Sequence, residues 1–236
     1  MTARPRARAA RTTSATERPL RAGAVPSRAA AAEGVVAVGR RFYGRGWVMG
    51  TSGNFSVVIG RSPLRLAITP SAASKGALRA SEILQIDAAG EPARGVAGRP
   101  SAETALHLEV VRRLGAGAVL HTHSIWSTML SERHAARRGL AIEGFEMLKG
   151  LDGVSTHAHR EWVPIVENDQ DMSRLAVEVG RALSDYPAAH GFLIRRHGLY
   201  TWGRTLAEAE RHVEIFEFLF EAIGREGSGH GSRQHS

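Results

Sequence analysis

Three histidines stand where two short apolar runs end. His121 and His123 close the run Gly115-Ala-Gly-Ala-Val-Leu-His-Thr-His-Ser124, and His197 closes Gly191-Phe-Leu-Ile-Arg-Arg-His-Gly198. In a strand, side chains two residues apart point the same way. His121 and His123 therefore share a face, Thr122 points opposite, and the two imidazoles can hold one divalent ion. His197 can complete the set from a neighbouring strand end. Three protein ligands with a fourth position open is the pattern of a catalytic zinc rather than a structural one.

Other residues of chemical interest divide more evenly. His157 and His159 repeat the His-x-His spacing, but no apolar strand leads into them, so they are assigned to a surface loop. The remaining histidines, His107 and His190 among them, show no convergent partner and are read as packed or solvated. Glu103 falls in the first turn of a helix that Pro100-Ser101 opens. It either complements the helix dipole or is a carboxylate held near a metal. Glu146, in Gly144-Phe-Glu-Met-Leu-Lys-Gly150, is by residue type alone a surface acid; the other reading is an acid/base group with a raised pKa. Three turns, Thr51-Ser-Gly-Asn54, Thr69-Pro-Ser-Ala72 and Pro100-Ser-Ala102, offer hydroxyls and free backbone N–H groups. Together they make an anion cradle that needs no basic patch.

The elements that must position these residues follow from periodicity. A helix is expected over 30–43 on the stripe Val35, Val36, Val38 and Phe42, and another after Pro100 with Leu106, Val110 and Leu114 inward. Strands are expected after the polar turn within 50–60 and at 66–68, 83–86, 118–120, 162–166 and 192–194, with 199–202 as a hairpin partner to the last. Leu206, Ala209, Val213, Phe216, Phe220 and Ile223 step by three and four along one face of a final helix. Strands and helices alternate without a repeat. The chain is therefore read as one α/β domain, a sheet covered by helices, over 30–224.

Composition removes several function classes. The 236 residues include no cysteine, which excludes disulfides, thiolate metal sites and cysteine nucleophiles. The apolar runs are too short to span a membrane. The net charge of +8 is concentrated in residues 1–28, where seven arginines face one acid, Glu17, so the body is nearly neutral. A nucleic-acid-binding face on the folded body is not supported. Residues 1–29 and 225–236 are expected to be disordered.

The runs Thr51-Ser-Gly-Asn-Phe-Ser56, Leu66-Ala-Ile-Thr-Pro-Ser71 with Ser74-Lys-Gly76, Pro100-Ser-Ala-Glu-Thr-Ala-Leu-His107, Ala118-Val-Leu-His-Thr-His-Ser124 and Arg196-His-Gly-Leu-Tyr-Thr-Trp-Gly203 resemble, in order, the class II (zinc-dependent) aldolase/adducin-head family. Gly144–Gly150, Val163–Asn168 and Glu217–Phe220 are similar to a dehydratase branch of it that acts on a sugar phosphate. The resemblance implies a three-layer α/β/α fold with a mixed central sheet, and one zinc per subunit on His121, His123 and His197. It implies phosphate contacts from Ser52, Gly53, Asn54, Ser71, Ala72, Ser101 and Ala102. It makes Glu146 the acid/base and Glu103 a base or metal-side carboxylate. It further implies a cytoplasmic homotetramer with sites at subunit interfaces. Aldolase or 4-epimerase activity on fuculose- or ribulose-type phosphates remains open, as does a non-catalytic adducin-like interaction domain.

Overall fold

The computed structural model describes residues 24–93 and 98–229. Ser27 accepts a hydrogen bond from the Ala30 N–H and so caps α1 (Arg28–Gly44). The helix thus starts before residue 30, so Arg28 and Ala29 are helical and not part of the expected extension. Of the extension expected over 1–29, residues 1–23 lie outside the described residues. At the other end α5 (Leu206–Gly229) passes residue 224, and an ion pair between Glu221 and Arg225 one turn apart supports the added turn. The tail expected from 225 therefore begins inside a helix, and 230–236 lie outside the described residues.

The strands are β1 (Asn54–Arg61), β2 (Leu64–Ile68), β3 (Leu84–Ile86), β4 (Ala118–Thr122), β5 (Gly139–Ile142), β6 (Glu161–Val166), β7 (Gly191–Ile194) and β8 (Gly198–Gly203). They form one sheet in the order β3-β2-β1-β4-β8-β7-β6-β5. β6 and β7 are parallel and every other neighbouring pair is antiparallel. The sheet is mixed, as expected. β5 had no signal in the sequence: four residues between a basic turn and a loop are too few to show a period.

The other helices are α2 (Thr104–Leu114), α3 (Ile125–Arg133) and α4 (Met172–Asp185). α2 and α4 bring Leu106, Val110 and Val179 onto one sheet face, against Val58, Val119 and Phe192. α1 and α5 bring Val35, Phe42 and Val213 onto the other, against Phe55 and Leu120. α3 joins that second layer through Leu130, beside Leu193 and Phe216. Each such side chain removed from water stabilises the fold by about 1.5–3 kcal/mol. Along β4 the pleat sends Val119 to the α2 side and Leu120 to the α5 side. The same alternation puts His121 on the α2 face and Thr122 on the α5 face.

Candidate metal centre

His121 lies within β4 and His123 one residue past its end. His197 sits in the turn between β7 and β8, and Glu103 immediately precedes α2. β4 and β8 are direct neighbours, with His121 opposite Tyr200, so the two His-bearing ends meet. The Nε2 atoms of His123 and His121 are 2.8 Å apart, and those of His121 and His197 are 3.3 Å apart. Glu103 Oε1 is 3.1 Å from His197 Nε2 and 3.4 Å from His121 Nε2. Glu103 is therefore a fourth member of the cluster, not a residue that only complements a helix dipole.

These four donors fit a divalent cation. His121 Nδ1 is 2.9 Å from the Leu199 carbonyl. A carbonyl only accepts, so Nδ1 carries the proton and Nε2 turns a lone pair into the cluster. Burial pushes His121 down from the ordinary imidazole value and drives His123 to about 2, with His121 and His197 adding to the effect on His123. Burial also pushes Glu103 up, but His121 and His197 outweigh it and hold the carboxyl well below the ordinary value. Three imidazole nitrogens and a carboxylate oxygen all within 4.8 Å need protons or a cation between them, and one cation meets all of them at once.

Two glycines make the approach possible. A Cβ on Gly198 would lie 2.0 Å from the Thr122 carbonyl oxygen and 3.2 Å from His121 Cε1. Gly53 has φ +71°, and its Cβ would lie 2.6 Å from the His121 carbonyl oxygen. Neither position accepts a side chain without moving β4.

A chain of hydrogen bonds holds Glu103 from behind. Asn54 Nδ2 donates to Glu103 Oε2. Asn54 Oδ1 must then accept, so His107 Nε2 donates to it. That leaves His107 Nδ1 as acceptor for the Ser56 hydroxyl at 2.8 Å. His107 is fully buried, and burial, then His121, push it down to about 3, so it stays neutral. This partner was missed in the sequence. Its signal was present, since Glu103 and His107 are four residues apart at a helix start. Tyr200 was also missed: its ring stacks on His121 with centroids 3.9 Å apart.

The three turns expected to cradle an anion meet beside the cluster. Ser71 N–H donates to the Arg99 carbonyl at 2.8 Å, and Pro70 bridges Pro100. Buried Lys75 donates to the carbonyls of Thr51 and Ala73, both at 2.9 Å, and so ties the first turn to the second. Burial pushes Lys75 down to about 8, against the pull of Glu103. Ser71, Ala72 and Ala102 are exposed, Ser52 and Ser101 are half-buried, and Gly53 is buried. The Asn54 side chain is committed to Glu103 and His107.

Glu146 is not in the cluster. It begins a 3-10 turn (Glu146–Gly150), its side chain is 70% exposed, and its partners are Lys149 and His157. Lys149 holds its carboxyl below the ordinary value. His157 is exposed as expected, but His159 is not a free surface residue: its Nε2 lies 2.8 Å from buried Glu161. His190 likewise has a convergent partner in Glu161.

The class II aldolase and adducin N-terminal domain family matches residues 33–223. A methylthioribulose-1-phosphate dehydratase of Methylococcus capsulatus is 47% identical over 79% of this chain and 89% of its own. One of Marinobacter nauticus is 44% identical over 82% of this chain and 92% of its own. The solved L-fuculose-1-phosphate aldolase of Thermus thermophilus shares the fold, with a TM-score of 0.68 and 24% identity over 87% of this chain and 99% of that one.

Proposed function

The chain belongs to the class II aldolase and adducin N-terminal domain family, and from this we propose that it dehydrates 5-methylthioribulose 1-phosphate to 5-methylthio-2,3-diketopentyl 1-phosphate. It is a hydro-lyase, and the reaction is a step of methionine salvage. The observation that carries the assignment is the four-donor cluster of His121, His123, His197 and Glu103, in a chain 47% identical to a relative named for that activity. The intact metal-ligand set weighs against an adducin-like domain without chemistry.

The ion proposed for the cluster is zinc, one per subunit, held by the three imidazoles, which leaves a position open to substrate and Glu103 beside it free to act. When bound it supplies Lewis-acid polarisation of the substrate's C2 carbonyl. Glu103, ionised and steadied by Asn54, takes the proton from C3. The C4 hydroxyl leaves as water with a proton from Glu146, and the resulting enol ketonises to the diketone. The turns bearing Ser52, Gly53, Asn54, Ser71, Ala72, Ser101 and Ala102 hold the phosphate and fix the reacting carbons in register.

Glu146 enters this scheme from a neighbouring copy. Within its own chain it is exposed and paired with Lys149, and that pairing favours the ionised form, which is wrong for a proton donor. Burial against another subunit supplies the desolvation that raises a carboxyl pKa. The arrangement proposed is a homotetramer with sites shared between subunits, in the cytoplasm. No helix among the described residues is long and apolar enough to cross a membrane.

Metal-loaded protein given 5-methylthioribulose 1-phosphate tests the assignment by mass spectrometry. The expected result is loss of one water, abolished by chelation. Turnover of fuculose or ribulose phosphates by carbon-chain cleavage or epimerisation, with none of the thiosugar, would move the function to the aldolases or epimerases.

A further inference from the structure

A second group of metal-ligating side chains lies at the other end of β7. His197 follows the C-terminal end of that strand, and His190 precedes its N-terminal end. Beside His190 stands Glu161, the first residue of the parallel neighbour β6, and two residues before it His159. His159 Nε2 is 2.8 Å and His190 Nδ1 is 3.0 Å from the same oxygen, Glu161 Oε2.

The protonation of His190 is fixed by its surroundings. Its Nε2 lies 2.8 Å from the Asp152 carbonyl. A carbonyl only accepts, whichever way it turns. His190 Nε2 therefore carries a proton. In the neutral ring Nδ1 then points a lone pair at an ionised carboxylate oxygen. Something positive must lie between them, either a second proton or a metal ion.

We propose that His159, Glu161 and His190 form a second divalent-cation site, of the first-row transition-metal class, with water completing the coordination. A proton on His190 accounts for one contact only. His159 must then also turn an N–H onto the same oxygen of a carboxylate whose side chain is 1% exposed. A metal accounts for both imidazoles at once. The outer contacts are those of ligands held in place: His190 Nε2 on a carbonyl, and Glu161 Oε1 accepting the His190 backbone N–H at 2.9 Å. Two imidazoles and a carboxylate are a common set for zinc and its neighbours. The His159 side chain is 29% exposed, which gives an ion a way in.

The site would act as a staple. The segment between β5 and β6 carries Glu146 near its start and His159 near its end, and Gly144 N–H bonds the His157 carbonyl across it. An ion on His159 would pin that segment to β6 and β7.

Zinc is the probe, added to chelator-stripped full-length protein, and bound metal is counted by atomic emission after gel filtration. Two ions per chain are expected in the wild type, one in His121→Ala, one in His159→Ala and none in the double variant. His157→Ala, which removes an exposed neighbour, should keep two. Calorimetry of His121→Ala gives the zinc affinity of this site alone, and adding His159→Gln should weaken it by at least about tenfold. One ion per chain in both wild type and His159→Ala would overturn the proposal. So would equal loss on removing His157. Because His121→Ala lacks the first cluster, its remaining ion reports on this site whether or not the assigned activity holds.

Discussion

The Asn54 side-chain amide donates to Glu103 with one end and accepts from His107 with the other. The orientation of the amide is thereby set, and with it the position of the carboxylate beside the histidines. Asn54→Leu should lower kcat about 10–100-fold, the usual loss when a partner behind a ligand is removed, with little change in KM. His107→Gln still offers an N–H to Asn54 and should retain most turnover, whereas His107→Phe should not. Steady-state kinetics at matched metal content checks this.

Glu217 of α5 is buried behind the histidines, where it accepts from the Thr122 hydroxyl at 2.9 Å. Burial pushes its carboxyl from 4.5 up to about 7. Between these values the folded chain keeps a proton that the unfolded chain has lost, so stability falls as pH rises across that window. The loss is on the order of 3 kcal/mol. Glu217→Gln stays neutral at every pH. Denaturant melts should show it close to wild type at pH 4 and more stable than wild type at pH 8.

If Glu146 serves a cluster in another copy, two inactive chains can repair each other. Glu146→Gln and His121→Ala should each lose about 10²–10⁴-fold in activity. Mixed, unfolded and refolded together, they should recover on the order of a quarter of wild-type activity through pairings that contain one intact site. No recovery in the mixture would place Glu146 in its own chain's site.

Gly53→Ala combines a positive φ with a Cβ directed at the His121 carbonyl oxygen. It should cost more than about 1 kcal/mol of stability. It should also weaken metal affinity, because relief of the clash moves β4. Gly46 has a similar φ of +78° but open space around it, so Gly46→Ala should leave metal affinity unchanged. Urea midpoints and a metal-competition assay compare the two.

What the sequence revealed follows from the range of each signal. The His121/His123 pair was legible because a strand's two-residue period is local, and α5 because its apolar stripe runs for several turns. Glu103 stayed ambiguous because any acid in a first helical turn looks the same until the strand ends beside it are known. His190 and Glu161 are 29 residues apart and meet only because β6 and β7 are parallel neighbours, which no local pattern announces. Glu146 shows the opposite limit: family likeness marks it, while the fold of one chain leaves it in solvent.

The ligands of the first cluster come from distant parts of the chain, since His121 and His197 are 76 residues apart. They meet only once β4 has paired with β8, a contact of long sequence separation and so slow to form. A cation could therefore be held by His121, His123 and His197 together only after the centre of the sheet has closed, and its binding would oppose the reopening of those strands.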